Sequence, residues 1–317
     1  MNAAVTERRL SVVVPAHNEA TNIAALHAAV SAAVADLGVD LELIFVDDGS
    51  RDATAERVAE LAMRDDRVRL VSLRRNFGHQ IALLAGLRAA LGEAVITMDC
   101  DLQHPPALIP DMVAAWRAGH QVVQMVRDET LESGFAKRIT SRNFYRLINL
   151  LSDTPITPGV ADFQLLDRAA VDALIHLGDY RPFLRGMVSW LGFPTAFLRY
   201  VAAPRASGLS SYNWHRMSTL AVDAITGFSV KPLRVAFYVG CLSVVLSLAY
   251  LAYIFVELLS GRTVEGWTSL MAVMLLFGAA QLVSLGIIGE YIGRIYDQTR
   301  GRPRYLVKPE DINEHRP

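Results

Sequence analysis

The stretch Ala94-Val95-Ile96-Thr97-Met98-Asp99-Cys100-Asp101-Leu102-Gln103-His104-Pro105-Pro106 starts as an apolar run and breaks into two carboxylates two residues apart. A short Val/Ile-rich run bounded by turn-forming residues reads as a strand buried on both faces, and the proline pair suits the start of a helix. Two carboxylates at such a strand end are suited to sharing one hard cation. Mg2+ is held by one or two protein carboxylates and completes its shell with substrate phosphates. A solvated turn or a helix cap uses the same residues, so the pattern takes its meaning from its surroundings.

Outward from this stretch the same rhythm repeats. Strand candidates fall at residues 10–15, 41–46, 68–73, 94–98 and 121–126, with Ala- and Leu-rich helical segments at 22–37, 53–64 and 80–91 between them. Nearly continuous apolar strands alternating with helices predict an α/β fold with a mostly parallel, doubly wound sheet. Ligands of such sheets bind beyond the carboxyl ends of the strands. Three candidates end in polar residues: Pro15-Ala16-His17-Asn18-Glu19, Asp47-Asp48-Gly49-Ser50 and Asp99-Cys100-Asp101. All three are expected at one crevice. Asp48 is placed to accept hydrogen bonds from a nucleobase or ribose, with Gly49 permitting close approach; Asp and Ser there serve equally as helix caps. His79 and His104 read as structural or polar lining.

Hydrophobic residues make up 52% of the 317-residue chain and charged residues 20%, with a mean hydropathy of +0.27. The excess lies after about residue 230. Residues 235–256 and 266–289, 22 and 24 positions, carry no charge. At 1.5 Å per residue a helix of that length spans roughly 33 Å, enough for a hydrocarbon core of about 30 Å. Lys231 and Arg234 precede the first run; Arg294, Arg300, Arg302, Arg304 and Lys308 follow the second. The positive-inside rule then places both termini and the α/β region on the cytoplasmic side. Three regions are expected: a cytoplasmic α/β domain over 1–211, a moderately amphipathic segment over 212–231 that lies along the interface or packs on that domain, and a two-span hairpin with a basic tail over 232–317. Residues 10–15 are too short for a signal peptide. The net charge of -1 and two cysteines give no pull toward nucleic acid and no disulfide framework.

Val13-Val14-Pro15-Ala16-His17-Asn18-Glu19, Val46-Asp47-Asp48-Gly49-Ser50 and Asp99-Cys100-Asp101-Leu102-Gln103-His104-Pro105-Pro106, in that order, resemble family-2 glycosyltransferases of the GT-A fold, and within them the polyprenyl-phosphate enzymes. Gly289-Glu290-Tyr291-Ile292-Gly293-Arg294-Ile295-Tyr296 and Arg302-Pro303-Arg304-Tyr305 resemble the bacterial two-span branch, which acts on undecaprenyl phosphate. The resemblance covers about residues 10–307. It implies a Rossmann-like GT-A domain followed by a transmembrane hairpin in the inner membrane. It implies inverting transfer of a sugar from a nucleotide-sugar donor, with a UDP-sugar favoured and GDP-mannose as the alternative, to a polyprenyl phosphate, with Mg2+ or Mn2+ as cofactor and a tetramer as the assembly.

By the same resemblance Pro15, Glu19, Asp48, Asp99 and Gln103 contact the nucleotide-sugar, and Asp99 and Asp101 hold the metal, with Asp101 also catalytic. Asp162 is the catalytic base or a group that orients the acceptor. Arg127, Lys137, Arg138, Ser141 and Arg205 bind phosphate. Ser211 stands in Gly208-Leu209-Ser210-Ser211-Tyr212 where relatives often carry a lysine, which shifts phosphate binding toward Arg205 or another cation. A processive polysaccharide synthase is disfavoured, since no Arg-Trp pair occurs and two spans are too few for a polymer channel. A non-catalytic scaffold is disfavoured because Asp99, Asp101 and Asp162 are all present. No Gly-x-Gly spacing, P-loop or His-Glu-x-x-His pattern occurs, which argues against dinucleotide, P-loop and zinc chemistry.

Overall fold

The structure is a computed structural model and describes residues 8–127, 157, 159–201, 226–227, 229–260 and 266–309. The apolar runs form strands and the Ala/Leu-rich segments form helices, in the order β1 (Arg8–Ala16), α1 (Ile23–Val34), β2 (Val39–Asp47), α2 (Thr54–Ala62), β3 (Val68–Ser72), α3 (His79–Ala89) and β4 (Ala94–Thr97). A 3-10 turn (Pro106–Leu108) then leads into α4 (Ile109–Arg117), β5 (Val122–Arg127), β6 (Val160–Asp167), α5 (Arg168–Leu177), α6 (Leu184–Leu191) and β7 (Thr195–Tyr200). The seven strands make one sheet in the order β3-β2-β1-β4-β6-β5-β7. β1 runs parallel to β2 and β4, β2 to β3, and β5 to β7. β6 alone is reversed, pairing antiparallel with both β4 and β5.

Alternation along β1 divides the core. Val12 and Val14 belong to the cluster that holds Leu26, Val30, Met112 and Val113 of α1 and α4, all buried. Val13 faces the other way, toward α3. There Gly86 lets helix and sheet meet: a Cβ on it would fall 2.2 Å from Cγ1 of Val13. β6 is buried along nearly its whole length although it carries Asp162 and Gln164. Those two polar side chains share one face, and Phe163 and Leu165 take the apolar core on the other.

The structure divides into two compact units, one around the sheet and one of helices. The helical unit contains α7 (Lys231–Leu259) and α8 (Trp267–Thr299), packed against each other, with the Tyr291 hydroxyl donating to the Ser229 carbonyl at 2.6 Å. Phe237, Leu242, Leu275 and Leu282 point outward, largely exposed. That surface suits hydrocarbon rather than water. Both helices run beyond the uncharged stretches, α8 by ten residues that include the Glu290–Arg294 pair at 2.9 Å.

The tail from Arg302 belongs to the sheet unit, not to the helices with which its sequence position groups it. Lys308 N–H donates to the Ser72 carbonyl and Arg74 N–H to the Leu306 carbonyl, each at 2.9 Å, so that Val307 stands antiparallel to Leu73.

Candidate active site

The carboxyl ends of β1, β2 and β4 deliver their polar residues to one crevice, as parallel neighbours must. The loops after β1 and β2 are stitched together: Asn18 N–H donates to Ser50 Oγ at 3.0 Å, Arg51 N–H to Asn18 Oδ1 at 2.9 Å, and Glu19 N–H to Thr54 Oγ1 at 2.9 Å. Asn18 takes a left-handed backbone (φ 58°) to do this, a conformation asparagine tolerates better than most residues. Pro15 is buried in β1, opposite Val46.

Asp48 is buried, and its carboxylate accepts N–H groups from Phe77 at 2.7 Å and Gly78 at 2.9 Å. It therefore caps the approach to α3. An ionised carboxylate offers about four lone-pair sites, so acceptor capacity remains beyond those two bonds. Gly49 is pressed against this same loop: its φ is +65°, and a Cβ there would lie 2.4 Å from the Arg75 backbone carbon.

Asp99 and Asp101 follow β4. Asp99 N–H donates to His104 Nδ1 at 3.0 Å, and Gln103 N–H to Asp101 Oδ1 at 3.1 Å, with Leu102 left-handed at φ 59°. His104 is buried, stacked on Phe163 at 5.1 Å and edge-on to Tyr200. Burial lowers its basicity, and its accepting Nδ1 leaves the proton on Nε2, 3.6 Å from Asp99 Oδ2. His104 thus holds the backbone of the first carboxylate.

Asp99 Oδ1 is buried with no hydrogen bond; His79 Nε2 lies 3.5 Å away. Burial pushes the Glu19 carboxyl up, against a bond from Asn22, and the nearby charges of Asp101, Asp52 and Asp99 push it further. An orphaned carboxylate oxygen amid like charges fits a bound cation. Among the described residues no three His, Cys, Asp or Glu side chains are grouped to hold an ion by themselves.

β6 brings in Asp162. Because β6 lies antiparallel beside β4, with Thr97 opposite Gln164, its early residues reach the end of β4, and Thr97 Oγ1 donates to the Asp162 carbonyl at 2.6 Å. The Asp162 side chain is 7% exposed and paired with Arg185 through two bonds, Nε to Oδ1 at 2.7 Å and a terminal nitrogen to Oδ2 at 2.9 Å. Gln80 Nε2 donates to Oδ2 at 3.1 Å, and His79 Nε2 lies at 3.4 Å. Burial pushes this carboxyl up, but the Arg185 charge and the bonds from His79 and Arg185 outweigh it, holding the group well below the usual carboxylate range. His79 is shifted the other way: burial lowers its basicity, and Asp162 with Asp99 more than restores it. His79 thus links Asp162 to the Asp99 carboxylate.

Arg127 ends β5 opposite Tyr200 and is exposed. Burial pushes the Tyr200 hydroxyl up to about 12, against the pull of Arg127. Lys137, Arg138, Ser141 and Arg205 lie outside the described residues, as do Ser211 and residues 212–225 and 228. Gln80 and Arg185 were not singled out in the sequence. The one available signal for Arg185 was a cation one residue into the otherwise apolar stretch Leu184–Leu191.

The carboxylates of the crevice, from Glu19 to Asp162, lie in the region that matches the model for glycosyl transferase family 2, residues 11–175. The chain belongs to that family. The model of the GtrB C-terminal hairpin matches residues 231–295, covering α7 and most of α8, and with the two apolar helices it marks this family-2 glycosyltransferase as membrane-associated. An uncharacterised glycosyltransferase of Bacillus subtilis is 40% identical over 94% of this chain and 93% of its own. The bactoprenol glucosyl transferase of Shigella phage SfV is 38% identical over 95% and 99%. A prophage bactoprenol glucosyl transferase homologue of Escherichia coli is 36% identical over 95% and 98%. Glucosyl-3-phosphoglycerate synthase of Mycobacterium tuberculosis, solved with Mn2+, UDP and phosphoglyceric acid, shares the fold at 22% identity and a TM-score of 0.50, over 69% of this chain and 76% of that one.

Proposed function

We propose that this glycosyltransferase moves a sugar from a UDP-linked donor to the phosphate of a polyprenyl phosphate, with inversion, at the cytoplasmic face of the inner membrane. The observation that carries this reading is the meeting of Asp99, with its orphaned oxygen, and the Asp162–Arg185 pair, through His79. It brings an anionic pocket for a cation-bound diphosphate beside a fixed guanidinium. The polyprenyl acceptor is supported by relatives named bactoprenol glucosyl transferase, each aligned over nearly its full length. The cytoplasmic orientation is supported by the basic residues flanking the apolar runs.

In this reading Asp99 and Asp101 hold Mg2+ or Mn2+, with Glu19 adding negative charge nearby. The cation, when bound, neutralises charge that develops on the departing diphosphate. Pro15, Glu19, Asp48 and Gln103 line the nucleotide-sugar side, and Arg127 with Lys137, Arg138, Ser141 and Arg205 serves the phosphates. A phosphomonoester carries about 1.5 to 2 negative charges at pH 7, so its oxygen attacks the anomeric carbon without giving up a proton. One carbon–oxygen bond to the diphosphate breaks as one to the acceptor phosphate forms on the opposite face. Asp162, ionised and locked by Arg185, then orients rather than abstracts. Rate enhancement comes from alignment and fixed charge.

The test is incubation of the full chain with undecaprenyl phosphate and a panel of nucleotide-sugars, UDP-glucose first, followed by mass spectrometry of the lipid. A glycosyl phospholipid formed from a UDP-sugar supports the reading. Hydrolysis alone, or transfer to a soluble acceptor only, defeats it.

A further inference from the structure

The basic tail contains Arg302-Pro303-Arg304-Tyr305 and Lys308, residues that neither the membrane hairpin nor the crevice has used. In the sheet unit this tail makes two attachments. The first is at the edge of the sheet, where β3 is the outermost strand. Lys308 N–H and the Leu306 carbonyl pair with Ser72 and Arg74, on either side of the fully buried Leu73. The loop that continues from Arg74 is the one whose Arg75 backbone closes on Gly49 and whose Phe77 and Gly78 N–H groups are held by Asp48. The second attachment is at the end of α5. Gly178 ends that helix in a left-handed conformation, and a Cβ built on it would meet the Arg304 guanidinium at 3.5 Å. A cation there complements the helix carboxyl end. Asp179, whose carboxyl burial pushes up, is drawn back by the Arg304 charge. Six residues after Gly178 comes Leu184, whose N–H donates to Gln80 Oε1 at 3.0 Å, followed by Arg185 on Asp162.

We infer that residues 304–308 are a strap that fixes the spacing of two segments, 72–78 and 178–185, and thereby positions the Asp48 and Asp162 sides of the nucleotide-sugar pocket. The assignment rests on the nucleotide-sugar reading above for its ligand, while its structural half stands without it. Backbone pairing at Ser72–Arg74 restrains the 73–78 loop, and Arg304 restrains the turn after α5. Between them lies α3, whose first residues His79 and Gln80 are gripped by Asp162. Arg304 and the 306–308 backbone act through these two segments and are positioning elements.

The test uses the full chain in detergent with UDP and Mn2+ as probe. Lys308→Pro removes the N–H donated to Ser72, and Arg304→Ala removes the cation at Gly178 while leaving the backbone pairing in place. Lys308→Pro is expected to weaken UDP binding, measured by calorimetry, about tenfold, and Arg304→Ala about threefold, the size of one lost restraint. Arg304→Lys should recover most of the loss, which a role in bulk stability would not require. Amide hydrogen exchange without nucleotide should quicken at residues 72–80 in Lys308→Pro and at 178–185 in Arg304→Ala. Wild-type UDP affinity in both variants, or unchanged exchange in those segments, overturns the strap. Should Lys308→Pro not fold, Arg304→Ala decides by the same two readouts. If the wild-type chain binds no UDP, the nucleotide-sugar reading fails, and the exchange measurement still decides whether the strap exists.

Discussion

The β1–β4 half of the sheet and the β5–β7 half supply the same crevice by different means. In the first half the strands are parallel neighbours, and each polar residue of the site lies within a few positions of its strand's end: Glu19 after β1, Asp48 after β2, Asp99 and Asp101 after β4. In the second half β6 is reversed, so Asp162 arrives near its beginning rather than beyond its end. Its partners Gln80 and Arg185 are 82 and 23 residues away in the chain. The first half therefore offers free carboxylate capacity, as Asp99 Oδ1 shows, while the carboxylate of the second is saturated by a guanidinium and an amide. One side suits a cation-bound diphosphate, and the other suits rigid placement of charge.

Breaking the open side should have the largest effect. Asp101→Asn is expected to lower kcat for sugar transfer at least about a hundredfold with Mg2+ or Mn2+, the usual scale for losing a group that stabilises transition-state charge. Retention of near wild-type turnover would remove Asp101 from the chemistry. The closed side should fail differently. Arg185→Ala strands a buried carboxylate and should cost about 3 kcal/mol of stability, seen as a lower thermal midpoint, along with activity. Asp162→Asn should be milder on stability.

The same contrast sets a pH expectation. The Asp162 carboxyl is held below its ordinary range, so its folded pKa lies below its unfolded value. It is ionised throughout the neutral range, and the stability it contributes is present above the unfolded carboxylate pKa of about 3.9 and lost only as pH falls toward the folded value. A kcat profile between pH 6 and 9 should therefore show no limb that disappears in Asp162→Asn; such a limb would restore the base role.

The smallest effect is expected away from the crevice. Asp65, bonded to Arg67 at 2.7 Å and to His27 at 2.8 Å, is also held low, chiefly by Arg67. Arg67 is 45% exposed, so solvent screening keeps the contribution of the pair under about 1 kcal/mol. Asp65→Asn should lower the thermal midpoint slightly at pH 7, and the difference should vanish as pH falls through the carboxylate range.

Much of this organisation was legible in one dimension. Five strands and three helices fell within a few residues of their observed positions because strands buried on both faces must be continuously apolar, and helices against them must repeat on a helical period. The carboxylate pair after β4 was legible for the same reason: a change from apolar to acidic marks where a strand leaves the core. β6 gave no such signal. Its Asp162 and Gln164 interrupt the apolar pattern, and their burial makes sense only once α3 and α6 supply partners. In sequence the tail is only charge beside an apolar run, and its pairing with β3 depends on backbone N–H groups that carry no side-chain signature.

The amino-acid sequence by itself determined the alternation of strand and helix, the acidic strand ends, the two apolar helices and, through these, the family. Hydrophobic patterning acts locally and is written residue by residue. Only the tertiary structure decided that β6 runs backward beside β4, that Asp162 is locked to Arg185 and Gln80, and that the tail joins the sheet edge. Those outcomes depend on contacts between segments far apart in the chain, whose charges and N–H groups have meaning only when burial removes water as the alternative partner.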